Sequence, residues 1–441
     1  MNRREFIKTG AGAFFIAATG RGVGAGVASN RVRLAIMGCH EGGRGRYVLA
    51  AMMNTPGVEI AWVCDVDARA REWAAKYVEE STGYRPRKEK DIRRVLEDRE
   101  LDGIVCETPD HWHAYAAYLA MNAGKAVYVE KPCCFCPAEG EKLIAEWKRT
   151  GMVFQMGNQR RASKTYRAAI AWAHEGLPLG ELKYARAWYD AQRPPNGVGK
   201  AVSVPDWLDW DLWQGPAPRT AFHDNYIHYK WHWFRRWGTA ESGNNAPHFL
   251  DVARWALGVR FPTRVVSGGG LCFPHSGDEY EWPDTFNMTF EYPGEKVISW
   301  EGMSHLKLNN YMGFDTGVVV YGSKGSLLFA PDDSAMALDV AGKVVREWKA
   351  EGLTANGSLT DPTQGIDPLH SAKFVACVRG HDQRTNAPAD EAVMSSFMPL
   401  VGNIAQLCGE AIRLDPESGR LLTKAGESLW NREYEKGWEL I

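Results

Sequence analysis

The sequence predicts an α/β protein built from an N-terminal doubly wound parallel sheet and a C-terminal α+β domain with a large, mostly antiparallel open sheet. With 441 residues the chain exceeds one compact domain, which is typically 100–200 residues long. From residue 32, apolar runs alternate with amphipathic runs, as in a parallel sheet with helices on both faces. In the second half, short apolar strands follow one another across Gly- or Pro-marked turns, which is typical of antiparallel pairing.

The composition is that of an ordinary globular chain, with 45% hydrophobic and 24% charged residues. The 52 Lys and Arg nearly balance the 54 Asp and Glu, so we expect no nucleic-acid partner. No segment reaches the roughly 20 apolar residues of a membrane span, so none is expected. Tryptophan is in excess, at 18 residues, and this indicates either a large core or a surface on which a flat ligand stacks.

Residues 1–28 resemble a twin-arginine signal peptide. Arg3 and Arg4 precede a short apolar stretch, and small residues lead to a plausible cleavage site near Ala28. The prediction is export by the twin-arginine route to the periplasm, a route that carries folded proteins, often with a cofactor already inserted. The alternative is an accidental basic start on a cytoplasmic protein.

Residues 30–160 are predicted to form the first domain. Its strands are expected at Val32–Met37, Val58–Cys64, Gly103–Cys106, Ala126–Val129 and Val153–Met156. Its helices are expected at Arg46–Met53, Ala68–Glu80, Ile92–Glu97, Trp112–Ala123 and Pro137–Arg149. Strands and helices at this spacing alternate as in right-handed βαβ units.

The first predicted strand runs into a glycine-rich loop. Gly38, Gly42 and Gly45 can supply the tight turn, the close approach to pyrophosphate and the helix packing of a dinucleotide fingerprint, although the first gap is two residues too long. Asp65 ends the second strand 20 residues after Gly45, where a carboxylate binds ribose hydroxyls and repels a 2′-phosphate, which favours NAD over NADP. The alternative is a Gly-rich turn without a nucleotide. The predicted contacts of this region are Gly38, Gly42, Gly43, Arg44, Gly45 and Asp65.

Three further motifs follow later strands: Thr108-Pro109-Asp110-His111-Trp112-His113, then Glu130-Lys131-Pro132, then Asn158-Gln159-Arg160-Arg161. In this order they resemble the glucose–fructose oxidoreductase / inositol dehydrogenase / MocA (Gfo/Idh/MocA) family, over most of residues 31–412. The resemblance implies a Rossmann domain, then an α+β domain whose open sheet forms one wall of the active site. It implies hydride transfer between nicotinamide and a sugar or cyclitol. The cofactor contacts it adds are Thr108, Pro109, His111, His113, Glu130 and Lys131.

Lys131 is a predicted catalytic residue. It follows a strand at its carboxyl end, where ligands of doubly wound sheets bind, and its cation can hold a reacting hydroxyl or polarise a carbonyl. The following Pro132 is a candidate for a cis peptide bond, which would fix the turn. The alternative is a solvated lysine at the end of a strand.

His248 is the second predicted catalytic residue. A helix is expected from Pro247 to Leu257, with Asn244 or Asn245 as its cap, so that His248 lies in its first turn. The positive end of the helix dipole favours a neutral imidazole there, which can accept a hydroxyl proton. Family members place the catalytic histidine at this position, and many carry Asp where this chain has Asn244, which can orient its neighbours but cannot relay a proton. The alternative is a structural histidine.

Candidate sugar contacts are Gln159, Arg160, Tyr189, Arg235, Trp237 and Asn245. Flat rings suit pyranose faces, and guanidinium groups suit hydroxyls or a carboxylate. His228 and His232 are four residues apart, as in a helical metal site, but without a clear third ligand they indicate a substrate wall, and no metal is predicted.

Residues 161–441 are predicted to form the substrate-binding and oligomerisation domain. Strands are expected at Leu182–Tyr189, Arg264–Leu271, Thr285–Tyr292, Lys296–Glu301, Gly317–Tyr321 and Ser326–Phe329, and late helices at Pro368–Arg379 and Glu391–Ile412. The Pro-, Gly- and Trp-rich stretch Arg193–Phe222 is expected to form an ordered loop over the site. An exposed sheet face favours a homo-oligomer, a dimer or tetramer.

Three functions are compatible with the sequence. The first is an exported oxidoreductase that uses tightly bound NAD(P) on a sugar, sugar derivative or cyclitol. The second uses a transient keto-sugar for redox-neutral glycoside cleavage, elimination or epimerisation, which Asn244 and export both fit. The third is a non-catalytic carbohydrate-binding protein, against which Lys131 and His248 together argue.

Overall fold

The computed structural model describes residues 31–273, 277–308, 312–350 and 365–440; the predicted signal peptide, residues 1–28, lies outside them. Two sheets organise this part of the chain. The first has six strands, all parallel, in the order β3-β2-β1-β4-β5-β6: β1 Val32–Met37, β2 Val58–Cys64, β3 Arg87–Glu89, β4 Gly103–Cys106, β5 Ala126–Val129 and β6 Phe154–Met156. This is the doubly wound order that the sequence predicted.

Helices cover both faces of this sheet: α1 Arg44–Met53, α2 Ala68–Thr82, α3 Ile92–Val95, α4 Asp110–Asn122 and α5 Pro137–Thr150. β4 and β5 are buried at every position, which explains why both read as continuous apolar runs. One core lies between the sheet and α1 and α2. A second core lies under α3, α4 and α5.

The second sheet has nine strands in the order β14-β13-β12-β11-β7-β10-β9-β8-β15. Among the described strands of this second sheet, only the β7–β10 pair is parallel, so the predicted mostly antiparallel sheet is confirmed. Burial alternates along β9 and β10, which leaves one face for a core. The strands are β7 Leu182–Asp190, β8 Arg264–Gly270, β9 Thr285–Tyr292, β10 Lys296–Met303, β11 Thr316–Gly322, β12 Gly325–Phe329, β13 Ala335–Asp339, β14 Val344–Trp348 and β15 Ile412–Arg413.

Six helices follow the first domain: α6 Lys164–His174, α7 Trp210–Gln214, α8 Ala240–Asn244, α9 Ala246–Leu257, α10 Ile366–Val378 and α11 Ala389–Cys408. Of these, α6, α9 and α11 supply the core under the second sheet. Helix α10 instead places Phe374 and Val375 in the core of the first domain. The late part of the chain thus completes both domains.

The last predicted helix was too long at its C-terminus. Helix α11 ends at Cys408 because Gly409 adopts a left-handed conformation with φ of +64°, a common way to end a helix. The chain then forms β15, which pairs with β8. At 20 residues α11 is the longest described helix, and none of the helices in the described ranges is long and apolar enough to cross a bilayer.

Candidate active site

A cleft of about 250 Å³ opens at the carboxyl ends of β1, β2, β4 and β5. The first domain lines one side of it, with residues that the sequence predicted: Gly38, Gly42, Gly43, Arg44, Gly45, Asp65, Thr108, Pro109, His113, Glu130 and Lys131. Later residues line the other side: Leu212, Trp213, His228, Tyr229, Trp231 and Asn244. The structure therefore brings most of the predicted cofactor contacts together at one edge of the sheet.

The glycine loop allows the chain to turn tightly between β1 and α1. Gly38 has φ of +87°, and a Cβ there would lie 2.5 Å from the carbonyl oxygen of Glu107. A Cβ on Gly45 would meet the carbonyl oxygen of Gly38 even more closely. Because the N-cap of α1 is Gly43, which offers no side-chain acceptor, the first N–H groups of this helix are left for an anionic ligand.

Asp65 lines the cleft and also holds the glycine loop. Its Oδ2 accepts a hydrogen bond from the Cys39 N–H at 2.6 Å, and its Oδ1 accepts one from the Asp67 N–H at 2.9 Å. Burial raises the pKa of Asp65 from its ordinary value, against the effect of these two hydrogen bonds. Each carboxylate oxygen keeps a second lone pair for a ribose hydroxyl. Together with the open N-terminus of α1, this donor and acceptor set fits a dinucleotide.

Glu107 is a cleft residue that the sequence analysis did not name. It follows β4 directly, and within the described structure both of its buried carboxyl oxygens are without a hydrogen-bond partner. Burial raises its pKa well above the ordinary value, and Glu130 adds to the effect, while Arg44 opposes it. These surroundings therefore favour the protonated carboxyl. The available signal was an acidic residue at the end of an otherwise apolar strand.

We expect Glu107→Gln to remove a pH dependence of cofactor affinity. The groups that face Glu107 are Glu130 after β5, Arg44 of α1, Asp367 of α10 and Lys131. A negatively charged dinucleotide favours the protonated carboxyl, so binding takes up a proton above the pKa of the free protein. The dissociation constant then rises about tenfold per pH unit above that pKa. Titration calorimetry with NAD on protein stripped of cofactor, from about pH 6 to 10, checks this. If the dissociation constant depends on pH equally in wild type and in Glu107→Gln, the prediction is wrong.

Lys131 reaches from the end of β5 to the second domain. The Lys131–Pro132 peptide bond is cis, as the sequence suggested. Its Nζ donates hydrogen bonds to the backbone oxygen of Asn244 at 2.6 Å and to Asn244 Oδ1 at 2.9 Å. Lysine and asparagine, 113 residues apart in the chain, thus meet at the edge of the cleft.

His248 lies in the first turn of α9, one turn beyond Asn244. Asn245 is the N-cap residue, and its backbone rather than its side chain contacts the first turn. Burial lowers the pKa of His248 well below its ordinary value, and the nearby cations Lys131, Arg160 and Arg44 lower it further. The imidazole is therefore neutral at pH 7 and can accept a proton.

A strap, residues 192–237, crosses the cleft and contacts the first domain beside β2. The carbonyl oxygen of Trp207 accepts the Ala68 N–H at 2.8 Å. Further along, His228 stacks on His40 of the glycine loop, with ring centroids 4.0 Å apart. The strap therefore covers the region between the glycine loop and the start of α2, as the predicted loop over the site required.

The strap is also anchored on its other side. The carbonyl oxygen of Trp213 accepts hydrogen bonds from His111 Nε2 and Trp112 Nε1, both at 2.9 Å. The carbonyl oxygen of Pro216 accepts the Glu435 N–H at 3.0 Å from the C-terminal segment. Opening the strap would therefore break contacts on both of these sides.

Several predicted contacts lie away from the cleft. Trp237 is 1% exposed and packs inside the strap against Trp210, Trp213 and Phe234. Arg235 donates to the carbonyl oxygen of Glu281 and lines a separate cavity. The structure therefore does not support substrate contacts for Trp237 and Arg235.

His111 and Tyr189 are also placed behind the cleft. His111 is fully buried against Trp213, so it orders the loop rather than contacting a cofactor. The Tyr189 hydroxyl accepts a hydrogen bond from Arg193 at 3.0 Å. Both residues support the walls of the site.

Packing in the cores explains much of the excess of tryptophan in the sequence. Trp210, Trp213 and Trp237 form the core of the strap with its other apolar residues, and Trp188 is buried on the second sheet. Trp231, by contrast, is a partly buried ring on the cleft wall. The hypothesis that tryptophans stack on a flat ligand therefore applies to rings on the cleft wall such as Trp231, and not to the tryptophans of the core.

Three predicted substrate contacts remain: Arg160, Gln159 and Asn245. The guanidinium of Arg160 lies 4.0 Å from the centroid of Phe249 and donates to the Tyr166 hydroxyl at 3.0 Å. Gln159 is 7% exposed, next to Arg160 in a short 3₁₀ turn. The Asn245 Nδ2 donates to Glu241 Oε2 at 2.6 Å.

His228 and His232 face different carboxylates. His228 Nε2 lies 3.0 Å from Asp67, and His232 Nε2 lies 3.1 Å from Glu241. His228 lines the cleft, whereas His232 is buried, so the two side chains have different surroundings.

Fold and cleft together define an α/β protein with a Rossmann-like parallel sheet and a separate, mostly antiparallel sheet. Residues 32–158 match the model of an oxidoreductase family with an NAD-binding Rossmann fold, Gfo/Idh/MocA. The matched residues include the motifs at Thr108–His113 and Glu130–Pro132, which carry the resemblance in the sequence.

Two curated relatives and one solved structure show how far the similarity extends. The chain is 29% identical over 191 residues to a 4-carboxy-2-hydroxymuconate-6-semialdehyde dehydrogenase of Sphingobium sp., which covers 42% of this chain and 56% of that protein. It is 33% identical over 121 residues to inositol 2-dehydrogenase of Salmonella typhimurium, which covers 27% of this chain and 34% of that protein. The chain thus spans between a third and little more than half of these relatives' lengths.

The structural similarity is longer. A levoglucosan dehydrogenase solved in complex with NADH and levoglucosan superposes with a TM-score of 0.66 at 15% identity, covering 87% of this chain and 99% of that chain. This likeness shows that the fold of this chain, with both of its sheets, is shared with that structure.

Proposed function

We propose that the protein is an NAD-dependent oxidoreductase that transfers hydride between a bound nicotinamide and a sugar, sugar derivative or cyclitol. The observation that carries the proposal is the contact of Lys131 with Asn244 at the edge of the dinucleotide cleft, one helical turn before a neutral His248 whose pKa is lowered by the Lys131 charge. The inositol and levoglucosan dehydrogenases among the similar proteins support the substrate class.

The residues of this chain can divide the reaction between them. A bound nicotinamide supplies the hydride acceptor. The Lys131 ammonium holds the reacting oxygen and stabilises negative charge that develops on it. His248 takes the hydroxyl proton during oxidation and returns it during reduction. Asn244 holds Lys131 in place through two hydrogen bonds.

We propose NAD rather than NADP as the cofactor. The Asp65 carboxylate lies in the cleft after β2, and Asp67 lies two residues further along. The pKa of Asp67 falls below its ordinary range because the contacts from His228 and Arg69 outweigh its burial. A 2′-phosphate would meet this negative charge at short range.

We also propose that the cofactor stays bound between turnovers. The strap covers the cleft beside the glycine loop and contacts the first domain through Trp207, Trp213 and His228. Retention suits an exported enzyme, which is the location that we propose from Arg3 and Arg4, because free NAD is not expected outside the cytoplasm. The nicotinamide would then be recycled within the site.

Denaturing the purified protein and analysing the supernatant by mass spectrometry tests the proposal. We expect NAD(H) at close to one molecule per chain and an oxidised product after incubation with a responsive sugar or cyclitol. An isomer or a cleaved glycoside instead would assign the redox-neutral reaction. Absence of nicotinamide, together with no turnover when NAD is supplied, would leave a carbohydrate-binding protein.

A further inference from the structure

Glu241 lies behind the proposed active site, in the short helix that ends at Asn244. Its carboxylate is 1% exposed and is surrounded by donors. Asn244 Nδ2 donates to it at 3.2 Å and Asn245 Nδ2 at 2.6 Å. Arg193 donates at 3.0 Å, and His232 Nε2 lies 3.1 Å away. Burial raises the pKa of Glu241, but the contacts from His232 and Arg193 outweigh it and lower the pKa to about 2.

The Asn244 amide connects this carboxylate to Lys131. Its Oδ1 accepts from the Lys131 ammonium at 2.9 Å, while its Nδ2 donates to Glu241 Oε1 at 3.2 Å. An ammonium can only donate and a carboxylate can only accept. The amide satisfies both neighbours in one orientation alone, so the charges on either side fix which way it points.

Resting on the proposed function, we propose that Glu241 is a positioning residue that orients Asn244 so that its amide oxygen holds the Lys131 ammonium at the cleft. Glu241 and Asn244 then form a matched pair, in which the Glu241 carboxylate accepts a hydrogen bond from the Asn244 amide nitrogen. Glutamine at 241 would offer a competing donor and let the Asn244 amide reverse. Aspartate at 244 would set a second carboxylate against Glu241 in a buried place.

The pair also sets the charge of the site. Lys131 is held by two neutral oxygens, both from Asn244, so its positive charge is not cancelled by its nearest partner. That charge is available to the oxygen of a substrate, and it helps to keep His248 neutral. A carboxylate in direct contact with Lys131 would weaken both effects.

Three variants test the pair: Glu241→Gln, Asn244→Asp and the double variant. The first readout is the rate at which trace acetic anhydride acetylates Lys131, measured by peptide mass spectrometry at fixed pH. Lys125 is the internal control, because its ammonium is buried against the carbonyl oxygens of Asp98 and Leu101 in the first domain. The second readout is Tm. Neither readout needs a substrate, so the result is independent of the proposed reaction.

We expect Glu241→Gln to speed acetylation of Lys131 about tenfold and to leave Lys125 unchanged, because one charge-assisted hydrogen bond is lost. Asn244→Asp should lower Tm by roughly 5 °C, because two carboxylates then face each other. The double variant should return Tm close to wild type, since acceptor and donor exchange places, and should acetylate Lys131 more slowly than Glu241→Gln, because a carboxylate at position 244 then holds the ammonium.

The double variant decides the matter. Recovery of Tm in the double variant supports the pair even where a single variant unfolds, because a second substitution does not restore a general loss of packing. Additive damage, or an unchanged acetylation rate of Lys131 in Glu241→Gln, overturns the proposal.

Discussion

His248→Ala is expected to lower kcat by about 10²- to 10⁴-fold while the nicotinamide stays bound, because the variant loses the group that exchanges the hydroxyl proton. The neutral imidazole predicts how wild-type oxidation responds to pH. The pKa of His248 is lowered first by burial and then by Lys131, so the base stays unprotonated below the ordinary range of histidine. The rate of oxidation should therefore fall only at acidic pH, when the imidazole is protonated.

Stopped-flow absorbance of the bound nicotinamide, recorded across pH, measures this effect directly. His381→Ala is the matched control, because His381 is exposed in the loop after α10. Activity of His248→Ala close to that of the control removes His248 from the mechanism. An acid limb near the ordinary pKa of histidine would contradict the burial argument.

Lys131→Met is expected to reduce kcat by about 10²- to 10³-fold, the usual effect of removing a donor that faces a developing oxyanion. Methionine keeps much of the length of the side chain but removes the ammonium, so the loss reports the charge rather than the packing. The substitution also leaves Asn244 without its donor, and the site should lose binding of the substrate as well as turnover.

Lys148→Met on the exposed side of α5 is the control for this variant. The amount of nicotinamide released on denaturation should be equal in the two proteins, because Lys131 contacts the second domain through Asn244 rather than the glycine loop. A kcat within twofold of the control would show that Lys131 takes no part in the reaction, as expected for the alternative of a solvated lysine at the end of a strand.

The first domain was predictable because its local signals agree. Every residue of β4 and β5 is buried, so each strand is a continuous apolar run, and Gly38 marks the turn into α1. The strands β3, β13, β14 and β15 were missed because each has five residues or fewer, too few to show a clear periodicity. The end of α11 was misjudged because Gly409 stops the helix before the apolar pattern stops.

The site was predictable only where a motif carried it. Lys131 and His248 follow from the resemblance, but the contact between Lys131 and Asn244 joins residues 113 positions apart. Glu107 carries only the weak signal of an acidic residue after an apolar strand, and Glu241 carries no local pattern, since its role depends on burial and on partners in other elements. Trp237 was assigned to a substrate because composition does not distinguish a ring that packs on other rings from one that faces a ligand.

The most direct measurement follows the near-ultraviolet absorbance of the bound nicotinamide while sugars and cyclitols are added to the purified protein. The account predicts that one compound reduces about one nicotinamide per chain in wild type, and that His248→Ala and Lys131→Met stay silent with the cofactor bound. Protein that carries no nicotinamide, and that neither binds added NAD nor responds to any compound with it, would contradict the account.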